Sequence, residues 1–119
     1  MIVYKVVKKN RKTLSSIVVT KKARVIYEVG KKAVAPKWLR EKGYHIVAFD
    51  SIDHAYDFAR HFPHYQIMKC EVEVGDIVSE KPHTCHIKHL NAGFVLSTRI
   101  PYWPDGTIMC ESLTPLEVL

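Results

Sequence analysis

The chain has 119 residues and a mass of 13.7 kDa, room for one compact domain, 1–119, and not for two. Apolar residues make up 47% and charged residues 25%, near the globular average, which excludes disorder over most of the chain. The longest uninterrupted apolar runs, Met1-Ile2-Val3-Tyr4 and Ile46-Val47-Ala48-Phe49, are far short of the roughly 20 residues a membrane-spanning helix needs.

The chain opens on a strand-like pattern. Residues 2–7 (IVYKVV) are β-branched and aromatic and predict a first strand. They lack the apolar core and cleavage site of a secretory signal, so the expected compartment is the cytoplasm. The polar stretch 8–13 predicts a loop. Residues 14–20 and 24–29 predict two more strands, the second with Val25, Tyr27 and Val29 on one face. Gly30 breaks that run.

Pro36 opens a short helix through Trp38 and Arg40, which Gly43 ends. His45 to Phe49 reads as a strand. Asp50-Ser51 is an N-cap signal. Ile52, Ala55, Ala59 and Phe62 follow at helical spacing, so 52–61 is the main predicted helix, stopped by Pro63. In 65–74, Met68, Cys70, Val72 and Val74 alternate with charged residues and predict a half-buried strand. Gly75-Asp76 turns the chain. Residues 79–91 are polar and histidine-rich. Residues 92–100, 107–113 and 115–118 predict the last strands. Many strands with one main helix define an α+β domain.

Charge is unevenly spread. Residues 1–42 hold 13 basic and 2 acidic residues, net +11; residues 43–119 hold 5 and 10, net −5. Lys8-Lys9, Lys21-Lys22 and Lys31-Lys32 each fall beside a predicted strand end. Gathered at one sheet edge with Arg11, Lys12, Lys37 and Arg40, they form a surface that neutralises phosphates. Tyr27, Trp38 and Tyr44 lie in the same third as base-stacking candidates. The plainer alternative is a solubilising lysine surface over aromatic core residues.

Other constellations carry less. His83, His86 and His89, with Cys85 between them, are suitable zinc ligands but lack a helix start that brings them to one face. Solvated loop histidines explain them, and no metal is expected. Cys70, Cys85 and Cys110 form no paired motif, and Cys70 and Cys110 read as small core residues. Ser51 with His45 or His54 suggests a nucleophile and base, but a helix cap explains Ser51 more simply. Phosphate-loop, dinucleotide and serine-hydrolase motifs are absent.

Several short matches share one pattern. Val3-Tyr4-Lys5 looks like a first strand, Phe49-Asp50-Ser51 like a serine element, and Ala55 and Phe58 fall in the helix after it. Cys70-Glu71-Val72-Glu73-Val74-Gly75 follows as a strand, and Trp103-Pro104-Asp105-Gly106-Thr107 as a last turn. In this order the chain resembles the ADP-ribosyltransferase-like fold. Small phage-borne domains of unknown function share a related pattern, including Tyr27-Glu28-Val29-Gly30-Lys31 and Gly43-Tyr44-His45.

The resemblance implies a twisted, split sheet and an NAD site that includes Lys5 and Ser51. Lys5 stands where the family has arginine or histidine, and lysine makes no planar bidentate contact. The stretch before the last turn, Ser97-Thr98-Arg99-Ile100-Pro101, lacks the family's glutamate, leaving Glu111 or Glu73 as replacements. That carboxylate stabilises an oxocarbenium-like state, so its loss argues against the standard reaction.

The sequence therefore predicts a single α+β domain with a split, mostly antiparallel sheet. Its first functional expectation is a non-catalytic module that binds nucleic acid or another polyanion. The candidate residues are Lys8, Lys9, Arg11, Lys12, Lys21, Lys22, Lys31, Lys32, Trp38 and Arg40. The alternatives are an NAD-using ADP-ribosyltransferase-like enzyme through Lys5 and Ser51, and a viral or mobile-element accessory protein that acts by protein–protein contact, in the host cytoplasm if viral. Oligomeric state is open.

Overall fold

In the computed structural model, the described residues are 1–10, 13–15, 24–41, 43, 45–62, 64–79 and 103–119. The predicted strands at 14–20 and 92–100 lie partly or wholly outside them.

Strand β1 (Ile2–Asn10) runs past the expected boundary into the polar stretch. The expectation of a loop from residue 8 is corrected by the pairing. Strand β2 (Thr13–Ser15) bonds to the end of β1, with Lys8 opposite Ser15 and Asn10 opposite Thr13. Cross-strand hydrogen bonds outweigh the weak strand propensity of lysine and asparagine there. β3 (Ile26–Tyr27) is shorter than predicted. Val29 is exposed rather than on a buried face, because the chain turns at Gly30 with φ +83°. The Gly30 N–H donates to the Pro115 carbonyl at 2.8 Å.

β4 (Ala33–Val34) was not legible in the sequence. α1 (Lys37–Glu41) follows Pro36, and Gly43, at φ +86°, lies beyond its end. β5 (Ile46–Phe49) leads into α2 (Ile52–Ala59), capped by Ser51, whose Oγ accepts from the His54 N–H at 3.2 Å. Ala55, Ala59 and Phe62 are buried as expected, but Ile52 is exposed.

β6 (Tyr65–Glu71) keeps the predicted alternation through buried Val72. Val74 departs from it. That residue begins a 3₁₀ turn (Val74–Asp76) and is 75% exposed. β7 (Ile77–Val78) follows. β8 (Thr107–Cys110) and β9 (Ser112–Val118) divide at Glu111 rather than Thr114, where the Glu111 N–H donates to the Asp76 carbonyl. Pro115 sits inside β9. Its partner Cys70 follows a register shift that leaves Leu116 as an extra residue. A bulge accommodates proline, which has no N–H for the ladder.

The strands bond in the order β4-β9-β6-β1-β5-β8-β7, every described pair antiparallel. β1 is the fork. Its first half meets β5, with Tyr4 opposite Phe49, and its second half meets β2, which carries β3. The result is a split, mostly antiparallel sheet with one main helix, the α+β fold read from the sequence. Among the described residues, no helix is long and apolar enough to cross a membrane.

Both faces of β1 are covered, which explains its nearly continuous apolar sequence. Val3 and Val7 face one core with Tyr27, Ala48, Met68, Cys70, Cys110 and Leu113. Val6 faces the other, with Phe49, Ile67, Ala55 and Ala59. The two alanines let α2 lie close to the sheet. Phe58 closes that layer, its ring 5.2 Å from Phe49 and 4.8 Å from Phe62. Cys70 and Cys110 are buried free thiols, and burial pushes them up to about 11 and about 12.

Candidate functional site

The register sets where the charged residues meet. Tyr4 lies opposite Phe49, so Asp50 and Ser51 stand level with the start of β1. Lys8 lies opposite Tyr65. Helix α2 connects these levels and runs from the start of β1 toward its end. Asp50, Asp53 and His54 therefore mark one end of the domain. Arg60, His61 and His64 mark the other, together with Lys8 and Lys9. The Lys9 N–H donates to the His64 carbonyl at 3.0 Å. Asp53 in the first turn and Arg60 at the C-cap both suit the helix dipole.

Lys8 and Lys9 are exposed. Arg11 and Lys12 follow them directly in sequence and lie outside the described residues, as do Lys21, Lys22 and Tyr44. Lys31 and Lys32 are also exposed, but elsewhere. The segment from Gly30 to Val34 runs along β9, where Thr114 is opposite Glu71, and Glu71 is opposite Ile2. Six residues of β1 separate that level from Lys8, about 20 Å at the rise of a strand. The two pairs thus do not gather at one edge. Lys31 is further occupied by Glu28 at 2.8 Å, and the contact raises its pKa through the hydrogen bond first and then the charge. Lys37 meets Glu41 at 3.8 Å. The Arg40 Nε donates to the Ala35 carbonyl at 2.9 Å, which secures the start of α1. Trp38 is half-buried.

Two sequence candidates have structural roles. Tyr27 is a core residue and offers no exposed face for stacking. Lys5 follows the inward parity of Val3 and Val7 and is only 8% exposed. Its Nζ donates to the Val47 carbonyl at 2.7 Å and lies 5.6 Å from the centre of the Tyr27 ring. Burial lowers its pKa to about 8, and burial likewise raises the Tyr27 hydroxyl. Lys5 points into the core rather than toward a ligand site. The signal for this was the Val-x-Lys-x-Val spacing, ambiguous because the other parity of β1 is also apolar.

Ser51, the other cofactor candidate, is half-buried and engaged as the α2 cap. Beside it, the His54 Nδ1 lies 2.7 Å from the Asp50 Oδ1. The hydrogen bond to Asp50, and then the charges of Asp50, Asp105 and Asp57, raise the imidazole pKa. The turn at 103–107 packs against this pair. Gly106 has φ +77°, and a Cβ there would fall within 3.0 Å of both the His54 ring and the Asp50 carboxylate. Its carbonyl accepts the Asp50 N–H at 2.9 Å. Glu111 and Glu73, the proposed replacement carboxylates, are exposed. Glu111 lies beyond Cys110, which pairs with Ile46 at the far end of β5 from Ser51. Glu73 precedes the turn bonded to Glu111. Neither converges on Ser51.

His83, Cys85, His86, His89 and the stretch 97–101 lie outside the described residues. Among the described residues no group of histidine, cysteine and carboxylate side chains is placed to hold a metal. The interface candidates read from the sequence all fall in the first third of the chain; Arg60, His64 and two tyrosines lie at the same end of the domain as Lys8 and Lys9. Tyr56 is exposed on α2, and Tyr65 is half-buried opposite Lys8. Comparison of the chain with known protein families, curated proteins and solved structures found no match.

Proposed function

We propose that the protein is a non-catalytic nucleic-acid-binding module, and that it binds through the end of the domain where β1 and α2 finish. The observation that carries this reading is that the end of β1, with exposed Lys8 and Lys9, is tied to the segment that follows α2 by the backbone hydrogen bond from the Lys9 N–H to the His64 carbonyl. Arg60 lies on the same end, and Arg11 and Lys12 continue the basic run in sequence. The acids Asp50, Asp53 and Asp105 stand at the opposite end of α2, so the domain is polarised along that helix. A cluster of exposed cations of this kind attracts phosphates and releases their counterions.

Fluorescence anisotropy with labelled oligonucleotides at low and near-physiological salt tests the reading. Neutralising three or more phosphates gives a log–log salt slope of about −2 to −3 or steeper. The double variant Lys8→Glu, Lys9→Glu binds at least about tenfold more weakly, with a slope shallower by about two. Absence of binding at low salt, or a double variant that binds like the parent, contradicts the proposal.

A further inference from the structure

We infer that the strand bound at this end is single-stranded, with a base stacked on Tyr56 and the adjoining phosphates held by Lys8 and Arg60. The inference rests on the nucleic-acid reading above and names its substrate. Tyr56 is 54% exposed on a helix whose phenylalanine, Phe58, packs against the core. Its ring is held rather than free, meeting Tyr65 edge-on at 6.4 Å and 76°. Tyr65 in turn packs against the core of Val6, Phe49 and Ile67. The support beneath Tyr56 is therefore part of the folded domain, and little ordering is lost when a base lands on it.

Two cations stand at the same end of the domain as this ring. Lys8 is directly opposite Tyr65 on the α2 side of the sheet. Arg60 is one helical turn beyond Tyr56, and its N–H bonds to the Tyr56 carbonyl. Asp53 and Asp57 flank Tyr56 on the helix and repel phosphate, which steers the backbone toward Lys8 and Arg60. An exposed ring supported edge-on by a second, with two cations at the same end of the domain, fits an unpaired base and its phosphates. A duplex keeps its base faces stacked inside and offers such a ring nothing but its backbone.

The test uses the full chain with a labelled oligothymidine and with a duplex of equal length. The expected result is tighter binding of the single strand. Tyr56→Ala weakens it by roughly five- to a hundredfold with the salt slope unchanged, and Tyr56→Phe restores it, because stacking needs only the ring. Thermal melts of both variants check that the fold is kept, as expected for an exposed side chain. Salt-dependent binding that treats duplex and single strand alike, or that is indifferent to Tyr56→Ala, overturns the stacking and leaves the phosphate surface standing. No binding by the parent protein at low salt overturns both.

Discussion

Lys5 is a basic residue held in the core. A protonated amine in a core of valines and thiols is costly, and one carbonyl with one ring face compensates it only in part. The fall from 10.5 to about 8 corresponds to roughly 3 kcal/mol against the charged, folded form. The unfolded chain holds this proton more tightly than the folded one, so stability rises with pH from about 8 upward. The buried thiols work in the opposite direction above their ordinary value of 9, where the folded state keeps protons that the unfolded state releases. The thiols already oppose the rise as pH approaches 9, so the amine is isolated by comparing the parent with a variant that lacks it at each pH. Lys5→Met is expected to gain roughly 1–3 kcal/mol in urea denaturation at pH 7 and to lose the rise between pH 8 and 9. A variant less stable than the parent, with the rise intact, contradicts this assignment.

His54 is the second residue with a distinct protonation behaviour. Its folded pKa is raised, so its contribution to stability is present below the unfolded value near 6.5 and is lost as pH climbs through the folded value. An NMR titration should give a midpoint above 6.5, and Asp50→Asn should lower it, since the Asp50 hydrogen bond is the main cause. A midpoint unmoved by that substitution would show that the pair does not form in solution.

At the scale of elements, β5, α2 and the turn at 103–107 form one unit. Ser51 caps the helix, Asp50 orients His54, and Gly106 leaves both the space they need. Gly106→Ala is expected to cost about 1–3 kcal/mol through its positive φ alone. The added methyl also pushes against Asp50 and His54, so the variant should lower the His54 midpoint together with the melting temperature. Stability equal to the parent's would remove the close approach from the description.

The elements also show what a sequence exposes and what it conceals. The α2 boundaries were readable because Ser51 and the Ala55–Ala59 spacing are local signals. The alternation Met68, Cys70, Val72 was readable for the same reason. β4 escaped because two residues carry no period, and they become a strand only through Ala33 and Val34 pairing with β9. The end of β1 escaped because lysine and asparagine argue for a loop until β2 supplies the partner. Val74 misled because the alternation outlasts the strand by one step, into a 3₁₀ turn.

At the scale of the molecule, the basic first third was plain in the sequence, but its distribution was not. Register, which no local signal reveals, carries Lys31 and Lys32 to the far end from Lys8 and Lys9. It also brings Tyr65 and the end of α2, from the acidic remainder of the chain, up to the lysines. The candidate interface is thus assembled from both halves, with a charge gradient along α2. The resemblance to the ADP-ribosyltransferase-like fold implied an NAD site that includes Lys5 and Ser51; in the structure the Lys5 amine donates to the Val47 carbonyl and Ser51 caps α2.

Chemical-shift mapping is the most direct test of the central proposal. Isotope-labelled protein is titrated with a single-stranded oligonucleotide at low salt. Shifts are expected at Lys8, Lys9, Tyr56, Arg60, His64 and Tyr65, while Glu73, Asp76 and Glu111 stay still. Shifts centred instead on Asp50, His54 and Gly106, or none at all, would contradict binding at the basic end.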